Sequence, residues 1–478
     1  MRFFCYTVVR NILFLLFFGA SVQAENFSHW YESFKDEASD SELYRFLYLM
    51  PKGGDLHNHM SGSGFSEWWY ELALDQKKQG YIYYTKVSIE NCREYGSNEF
   101  GFSPYLLLFQ NILESTYSKL SDCEKKEYKL LSKLSKKEKE AWLNSIRLDA
   151  LHEGRDEFFQ THWQRLNELY SNPYITADIV YLNMREFAKE GLVYLEPQIG
   201  VDGYLKPDGS LFTPDEVANI YRERLSREDA KETGVTVRFQ RSILRFIPSA
   251  EEDLKRMYKF VHDNNDLWVA VNMVGREDND KGYPLRFLET LRNLRKKYSG
   301  VKLSIHAGEV DEPNFHVRDT LFLGADRIGH GVNLISDPET MLLMRYGPYM
   351  IEINLISNML LEYVDKYDEH PFPEYLRTGI PVALSTDDRG MWDSTMTDEF
   401  FVAVKEFDLS WKELNTLHRN SIRYSFLDHD TKNRLLKDYT KRMRDFEKKV
   451  GRSKKWISKE VPQPRGFICR RYSLCVLE

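Results

Sequence analysis

Cysteine is scarce in this chain, with five residues among 478. None has the close-paired spacing of a thiolate zinc site, which excludes a Cys-based zinc module. An excess of positive charge is also lacking. Lys and Arg total 66 against 73 Asp and Glu, a net charge of −7, which argues against nucleic acid as the main partner. No long apolar run follows the first two dozen residues, so nothing beyond them reads as a bilayer span. Internal repeats and low-complexity tracts are missing as well. What is present, 42% hydrophobic and 29% charged residues, is ordinary for a folded protein. The length suits one large barrel with insertions, or two to three domains.

The early apolar run reads as targeting. Arg2 and Arg10 flank the start, Ile12 to Phe18 form a short apolar core, and Val22-Gln23-Ala24 has the small residues of a cleavage site. Residues 1–24 are therefore expected to be a signal peptide, with an uncleaved anchor as the alternative. The mature chain would be exported, to a periplasm or outside the cell, and free of the membrane once the signal is removed. Loss of Cys5 leaves Cys92, Cys123, Cys469 and Cys475, an even set that suits two disulfides. The local pairing Cys92–Cys123 and Cys469–Cys475 is favoured because each bond would pin an insertion or a tail. Spacing alone allows two other pairings.

Eight short, β-branched runs alternate with helix-compatible stretches. They begin near Gly53, Leu192, Val235, Trp268, Val301, Asp326, Met350 and Val382. This alternation predicts an α/β fold, a parallel (β/α)₈ (TIM) barrel over residues 25–430. His59, Gly275, His306, His330 and Asp387 all fall just past a predicted strand, where such barrels carry their chemistry. Between the first and second strands lies a large insertion, at about 84–160, read as helical. It is either a small subdomain or lid, or a set of helices with no separate role. Residues 431–478 form a basic, helical C-terminal extension whose charge reads as a solvated face.

The polar residues at the strand ends belong to one chemical inventory. His57-Asn58-His59 projects two rings to the same side, because side chains alternate with period two. His306 adds a third nitrogen and Asp387 a carboxylate oxygen. Such nitrogen and oxygen donors suit one Zn²⁺ ion with an open place for water, whose pKa the ion lowers from about 15.7 toward 7. Deamination of a heteroaromatic ring also needs an acid for the ring nitrogen. Glu309, three residues after His306 on a loop turning at Gly308, is placed for that. His330 can take a proton from the water or hold the hydroxide, and Asp388 can bond the substrate.

These motifs resemble those of the adenosine deaminase family, within the amidohydrolase superfamily. The resemblance rests on Met50-Pro51-Lys52-Gly53, His57-Asn58-His59, Val274-Gly275-Arg276-Glu277-Asp278, His306-Ala307-Gly308-Glu309 and Arg327-Ile328-Gly329-His330-Gly331. It continues through Ile356-Ser357-Asn358, Ser385-Thr386-Asp387-Asp388 and Ser425-Phe426-Leu427. The lead-in, the signal and the insertion are most similar to the secreted, growth-factor-related branch. The resemblance implies zinc on His57, His59, His306 and Asp387, with Glu309 as proton donor to purine N1. It implies that His330 orients the hydroxide, Asp388 bonds near N7 or the hydroxide, and the Gly275 N–H meets purine N3. Glu196 is implied as a contact to a ribose hydroxyl.

Two positions depart from the pattern. Met60 and Ser61 stand where family members often hold the 5′-hydroxyl with an aspartate, and Arg389 replaces a proline. Arg389 is open to two readings, a contact to an acidic group on the substrate or a solvated side chain, and the solvated one is favoured. The activity so implied is zinc-dependent deamination of adenosine or 2′-deoxyadenosine to the inosine product and ammonia. The alternatives are another amino-purine substrate (adenine, a modified adenosine or a nucleotide), or an exported nucleoside-binding or signalling protein with vestigial activity. The partner in each case is a small purine; a homo-oligomer is compatible with the sequence, which does not specify one.

Overall fold

The β-branched runs pair side by side in parallel. A computed structural model describes residues 27–92, 106–277, 281–310, 314–451, 453, 456–457 and 462–477. Among them are twelve strands: β1 (Gly54–Asp55), β2 (Tyr83–Lys86), β3 (Asn111–Leu113), β4 (Tyr128–Leu130), β5 (Tyr194–Leu195), β6 (Thr236–Val237), β7 (Phe239–Leu244), β8 (Trp268–Val274), β9 (Lys302–Ala307), β10 (Arg327–His330), β11 (Met350–Ile353) and β12 (Val382–Leu384). Each of the eight predicted runs supplies a strand, with β6 and β7 parted only at Arg238. One parallel sheet has the order β1-β5-β6, the other β12-β11-β10-β9-β8-β7. Isolated parallel bridges join them along both margins, Asn58 with Asp387 on one side and Gln198 with Gln240 on the other, while His59 with Gln198 continues the pairing of β1 and β5.

Helices return the chain between successive parallel strands, as parallel connections require. The helix Pro173–Lys189 shows why the sequence folds so. Asn172 caps it by accepting from the N–H groups of Tyr174 and Ile175, and proline at the first position loses no helical bond. Ile175, Ile179, Asn183 and Phe187 recur every four residues and form its buried face. Removing a side chain as large as Phe187 from such a face costs about 3–5 kcal/mol. The strands themselves are buried on both faces; Ile305, Ile328, Ile351 and Val382 have no exposed surface.

The insertion differs from its expected helical form. β2, β3 and β4 make a three-stranded antiparallel sheet in the order β3-β2-β4. Strands of three or four residues are too short to show a period in sequence, whereas the capped helix Lys136–Asn144 does. Trp142 of that helix is buried and its indole N–H donates to Asn111 Oδ1 of β3 at 3.0 Å. Cys92 is bonded to Cys123 within this unit, and Cys469 to Cys475 in the tail, the favoured pairing in both cases.

The C-terminal extension is helical over His429–Val450, but only one face of it is solvated. Leu435, Tyr439, Met443, Phe446 and Val450 are buried, so the helix belongs to the core. No described helix is long and apolar enough to cross a membrane. The signal-peptide reading of residues 1–24 falls outside the described residues.

Candidate active site

The carboxyl ends of the parallel strands bring together residues from opposite ends of the chain. His57 and His59 leave β1, His306 sits in β9, His330 ends β10 and Asp387 follows β12. The first and last segments are held in register by backbone bonds from Asp387 N–H to His57 O, at 2.9 Å, and from His59 N–H to Asp387 O, at 3.2 Å. His330 and Asp387 adopt left-handed φ angles of 65° and 53°. Such strain in non-glycine residues persists where the surrounding structure enforces it, typically at a working site.

Five donors converge there. The ligand atoms of His57, His59 and Asp387 lie within 4.8 Å of one another, as do those of His57, His306 and His330. His57 belongs to both sets, so they describe one centre. His59 Nε2 stands 3.2 Å from His306 Nε2 and 3.1 Å from Asp387 Oδ1. His57 Nε2 and Asp387 Oδ1 are buried with no hydrogen-bond partner. Buried polar atoms left unpaired are costly, and here they point at a common centre, an arrangement a cation would satisfy. The donors are nitrogen and oxygen only, a set that fits zinc. Burial opposes a charge on His57, yet the Asp387 and Glu352 carboxylates push it up to about 10. Burial works against the charge on Asp387 too, but the His57 and His59 rings beside it hold it well below the usual carboxylate range. The centre is thus electrostatically prepared for positive charge.

A second layer of residues aims the rings. His57 Nδ1 donates to Glu352 Oε2 at 2.7 Å, leaving Nε2 for the centre. Glu352 Oε1 in turn accepts from Ser304 Oγ at 3.0 Å and from Arg327 Nε. His306 Nδ1 meets Asn272 Oδ1 at 3.1 Å, and Asn272 is oriented by donating to Gln240 Oε1 at 2.7 Å. Gly329 lets His57 lie against the neighbouring strand, since a Cβ there would fall 2.7 Å from the ring.

Glu309 borders the same cavity. Its Oε1 is 3.7 Å from His330 Nε2, and its backbone N–H donates to Glu277 Oε1 at 2.6 Å. Burial, reinforced by the nearby Asp387 and Glu277 carboxylates, holds Glu309 well above its ordinary pKa, the direction a proton donor needs. Asp388 is raised by burial and by Asp387, and its Oδ1 has no partner. Glycine at position 62 makes room for that oxygen, which would lie 1.6 Å from a Cβ. Burial pushes His330 down to about 3, so its ring is neutral. Gly275 takes φ 86° on the cavity wall, where a Cβ would press on Phe246 at 2.8 Å.

The cavity has a volume of about 360 Å³, within the range of small-molecule sites. The antiparallel insertion and the turn that follows it contribute Phe158, Phe159 and Trp163 to its wall. None of its described lining residues is Lys or Arg.

Two expected residues lie elsewhere. Glu196 does not reach the cavity: Arg327 and Gln240 bond its Oε1, and Tyr194 OH and the Phe426 N–H bond its Oε2. With both oxygens engaged and no exposed surface, it braces the strands instead of meeting a sugar. Arg389 is not solvated. It is 1% exposed, packed over the rings of Phe187 and Phe65, with Glu190 3.7 Å from its Nη1.

The model of the family described as adenosine deaminase matches residues 124–442, more than half of the chain. This chain belongs to the adenosine deaminase family. A cattle N6-methyl-AMP deaminase is 28% identical over 272 residues, covering 56% of this chain and 74% of that protein. An adenosine deaminase of Clostridium perfringens is 33% identical over 168 residues, 35% of this chain and 49% of that protein. The chain thus spans about half the length of the curated adenosine deaminase it matches. Among solved structures, an amidohydrolase with bound Zn from Burkholderia ambifaria has a TM-score of 0.63 at 17% identity, covering 87% of this chain and 96% of that one. The Arabidopsis N6-methyl-AMP deaminase has a TM-score of 0.59 at 20% identity, covering 83% and 99%. At these identities the likeness shows the fold, an α/β arrangement of parallel strands.

Several residues that shape this family member's site do not stand out in its sequence. Glu352 lies in a predicted strand with no role attached, and Asn272 ends another. Gln198 lines the cavity with both side-chain amide atoms buried and unpartnered. The alternation that turns Glu196 inward also turns Gln198 inward, which is the one signal the sequence offers for it.

Proposed function

We propose that this protein deaminates adenosine and 2′-deoxyadenosine hydrolytically, giving inosine products and ammonia, with one zinc ion on His57, His59, His306 and Asp387. The observation that carries this reading is a buried Glu309, its carboxyl held well above the ordinary range, 3.7 Å from His330 and bordering the cavity that His59, His306 and Asp387 also line. Two parallel sheets bridged along both margins support a closed (β/α)₈ barrel as the scaffold. Zinc, when bound, supplies an activated water. Glu309 delivers a proton to purine N1, making C6 open to attack. Asp388, its carboxyl raised by burial and by Asp387, donates a hydrogen bond to N7, which can only accept, and the Gly275 N–H meets N3. Gln198, with its unpaired amide, supports a contact to the ribose in place of the missing aspartate.

A nucleoside is favoured over a nucleotide because phosphate needs cations and the described lining has none. Arg389 is buried among aromatic rings, and Arg276 is paired with Asp156 at 3.5 Å. Export, as read from residues 1–24, suits a substrate met outside the cell. The test is turnover of adenosine, 2′-deoxyadenosine, adenine, AMP and N6-methyl-AMP by the zinc-loaded protein, with and without chelator. Chelator-sensitive conversion of the two nucleosides is expected. Preference for either nucleotide would overturn the substrate assignment, and no conversion of any of the five would overturn the activity.

A further inference from the structure

The ring of His330 is held by a chain of hydrogen bonds whose direction can be read from one end. The backbone N–H of Phe372 can only donate, and it lies 3.1 Å from His370 Nδ1. That nitrogen must therefore present a lone pair, so the His370 proton is on Nε2. His370 is buried, and burial pushes it down to about 3, which keeps the ring neutral. Its Nε2 stands 3.0 Å from Asn358 Oδ1, a donor facing an acceptor. The Asn358 amide is thereby fixed, with Nδ2 turned toward His330 Nδ1 at 2.9 Å. The Asn354 amide nitrogen lies along the same ring edge, 3.3 Å from Nδ1 and 3.5 Å from Nε2, so the direction is set by Asn358. An amide nitrogen donates and does not accept, so His330 Nδ1 accepts and the ring proton sits on Nε2.

We propose that His370 and Asn358 are positioning residues that fix the His330 tautomer, making His330 a hydrogen-bond donor toward the site and not the base that removes a proton from water. This rests on the deaminase reading for its catalytic meaning. Nε2 is the nitrogen turned to the centre, 3.7 Å from Glu309 Oε1 and 4.0 Å from the Asp387 carboxylate oxygen Oδ2, an acceptor. A donor there stabilises negative charge as it develops. The links are buried, Asn354, Asn358 and His330 completely, so water has no access to reverse the chain. Its far end is a backbone group at the start of the helix Phe372–Thr378, which no side-chain rotation can alter.

The test reads the tautomer directly. Nitrogen NMR of zinc-loaded protein carrying ¹⁵N-histidine, with the His330 signals assigned by their loss in His330→Gln, should show the Nε2–H form. Asn358→Asp replaces the amide donor by an acceptor and should invert His330 to Nδ1–H. It should also lower kcat on adenosine by roughly 10²-fold or more with KM little changed. His370→Gln keeps one acceptor for Phe372 and one donor for Asn358, and should retain the native tautomer and kcat within about tenfold. If Asn358→Asp fails to fold, His370→Leu releases the same amide and should give a mixture of tautomers. An Nδ1–H His330 in the unaltered protein would overturn the proposal, as would Asn358→Asp with tautomer and kcat both unchanged. The Nε2–H form in a protein that turns over no amino-purine would support the relay and overturn the deaminase reading instead.

Discussion

Glu352 Oε2 lies 2.7 Å from His57 Nδ1, while Glu352 Oε1 is held by Arg327, so one buried carboxylate couples a proposed metal ligand to the strand network. It turns the other ring nitrogen of His57 toward the centre. Residues in this position tune metal affinity by orienting a ligand and raising its basicity. Glu352→Gln should therefore weaken zinc binding by roughly 10–100-fold, measured by competition with a chromophoric chelator. Unaltered affinity in the folded variant would show that Glu352 serves the strands alone.

Glu309 separates chemistry from metal binding. It is buried beside His330 but is not needed to hold the ion. Glu309→Gln should keep the zinc content of the parent and lose about 10²-fold or more in turnover, the lower range for a general acid. A fully active variant would remove Glu309 from the mechanism.

Much of the site is legible in the order of residues along the chain. The His-x-His pair, the His-Ala-Gly-Glu turn and the Asp-Asp pair each sit at the end of a run read as a strand, the last two marked by β-branched residues. Glu196 misleads because its place at a strand end matches that pattern, while three of its four partners, Gln240, Arg327 and Phe426, come from positions only folding brings near. Arg389 misleads for a related reason: a charged residue after a turn reads as solvated, and the rings that cover it lie far off in sequence. The insertion's strands are too short to carry a periodic signal.

Arg389 also carries a stability prediction. It is a buried cation whose nearest carboxylate, Glu190, is itself buried and accepts from the Thr397 N–H and hydroxyl. Arg389→Ala would take one of two buried cations, the other being Lys52, from beside Glu190 and should destabilise the protein by about 3 kcal/mol. Urea unfolding of Arg389→Ala beside the double variant Arg389→Ala/Glu190→Gln checks this, since the second change should recover part of the loss. Equal stability of Arg389→Ala and the parent would mean that the arginine is not needed where it lies.

Asp398 provides a pH dependence away from the proposed zinc centre. Burial raises its carboxyl from 3.8 to about 7, while Tyr44 OH donates to it at 2.7 Å. The folded chain thus retains a proton that the unfolded chain releases near pH 4. Its contribution is complete below pH 3.8 and falls away as pH rises toward about 7. Asp398→Asn should flatten the decline in stability across that interval. The check is urea midpoints at matched pH values; an identical slope in both proteins would place the titration elsewhere.

Asn58 Nδ2 donates to Thr386 Oγ1 at 3.0 Å across 328 positions of chain, in the same segments that carry His57, His59 and Asp387. The centre is therefore a clasp between the beginning and the end of the fold. An emerging chain that has delivered both N-terminal histidines still lacks the aspartate until its last strand has docked. Full coordination is thus a late event in the life of the molecule, and a chain stopped short of Asp387 would hold an incomplete site.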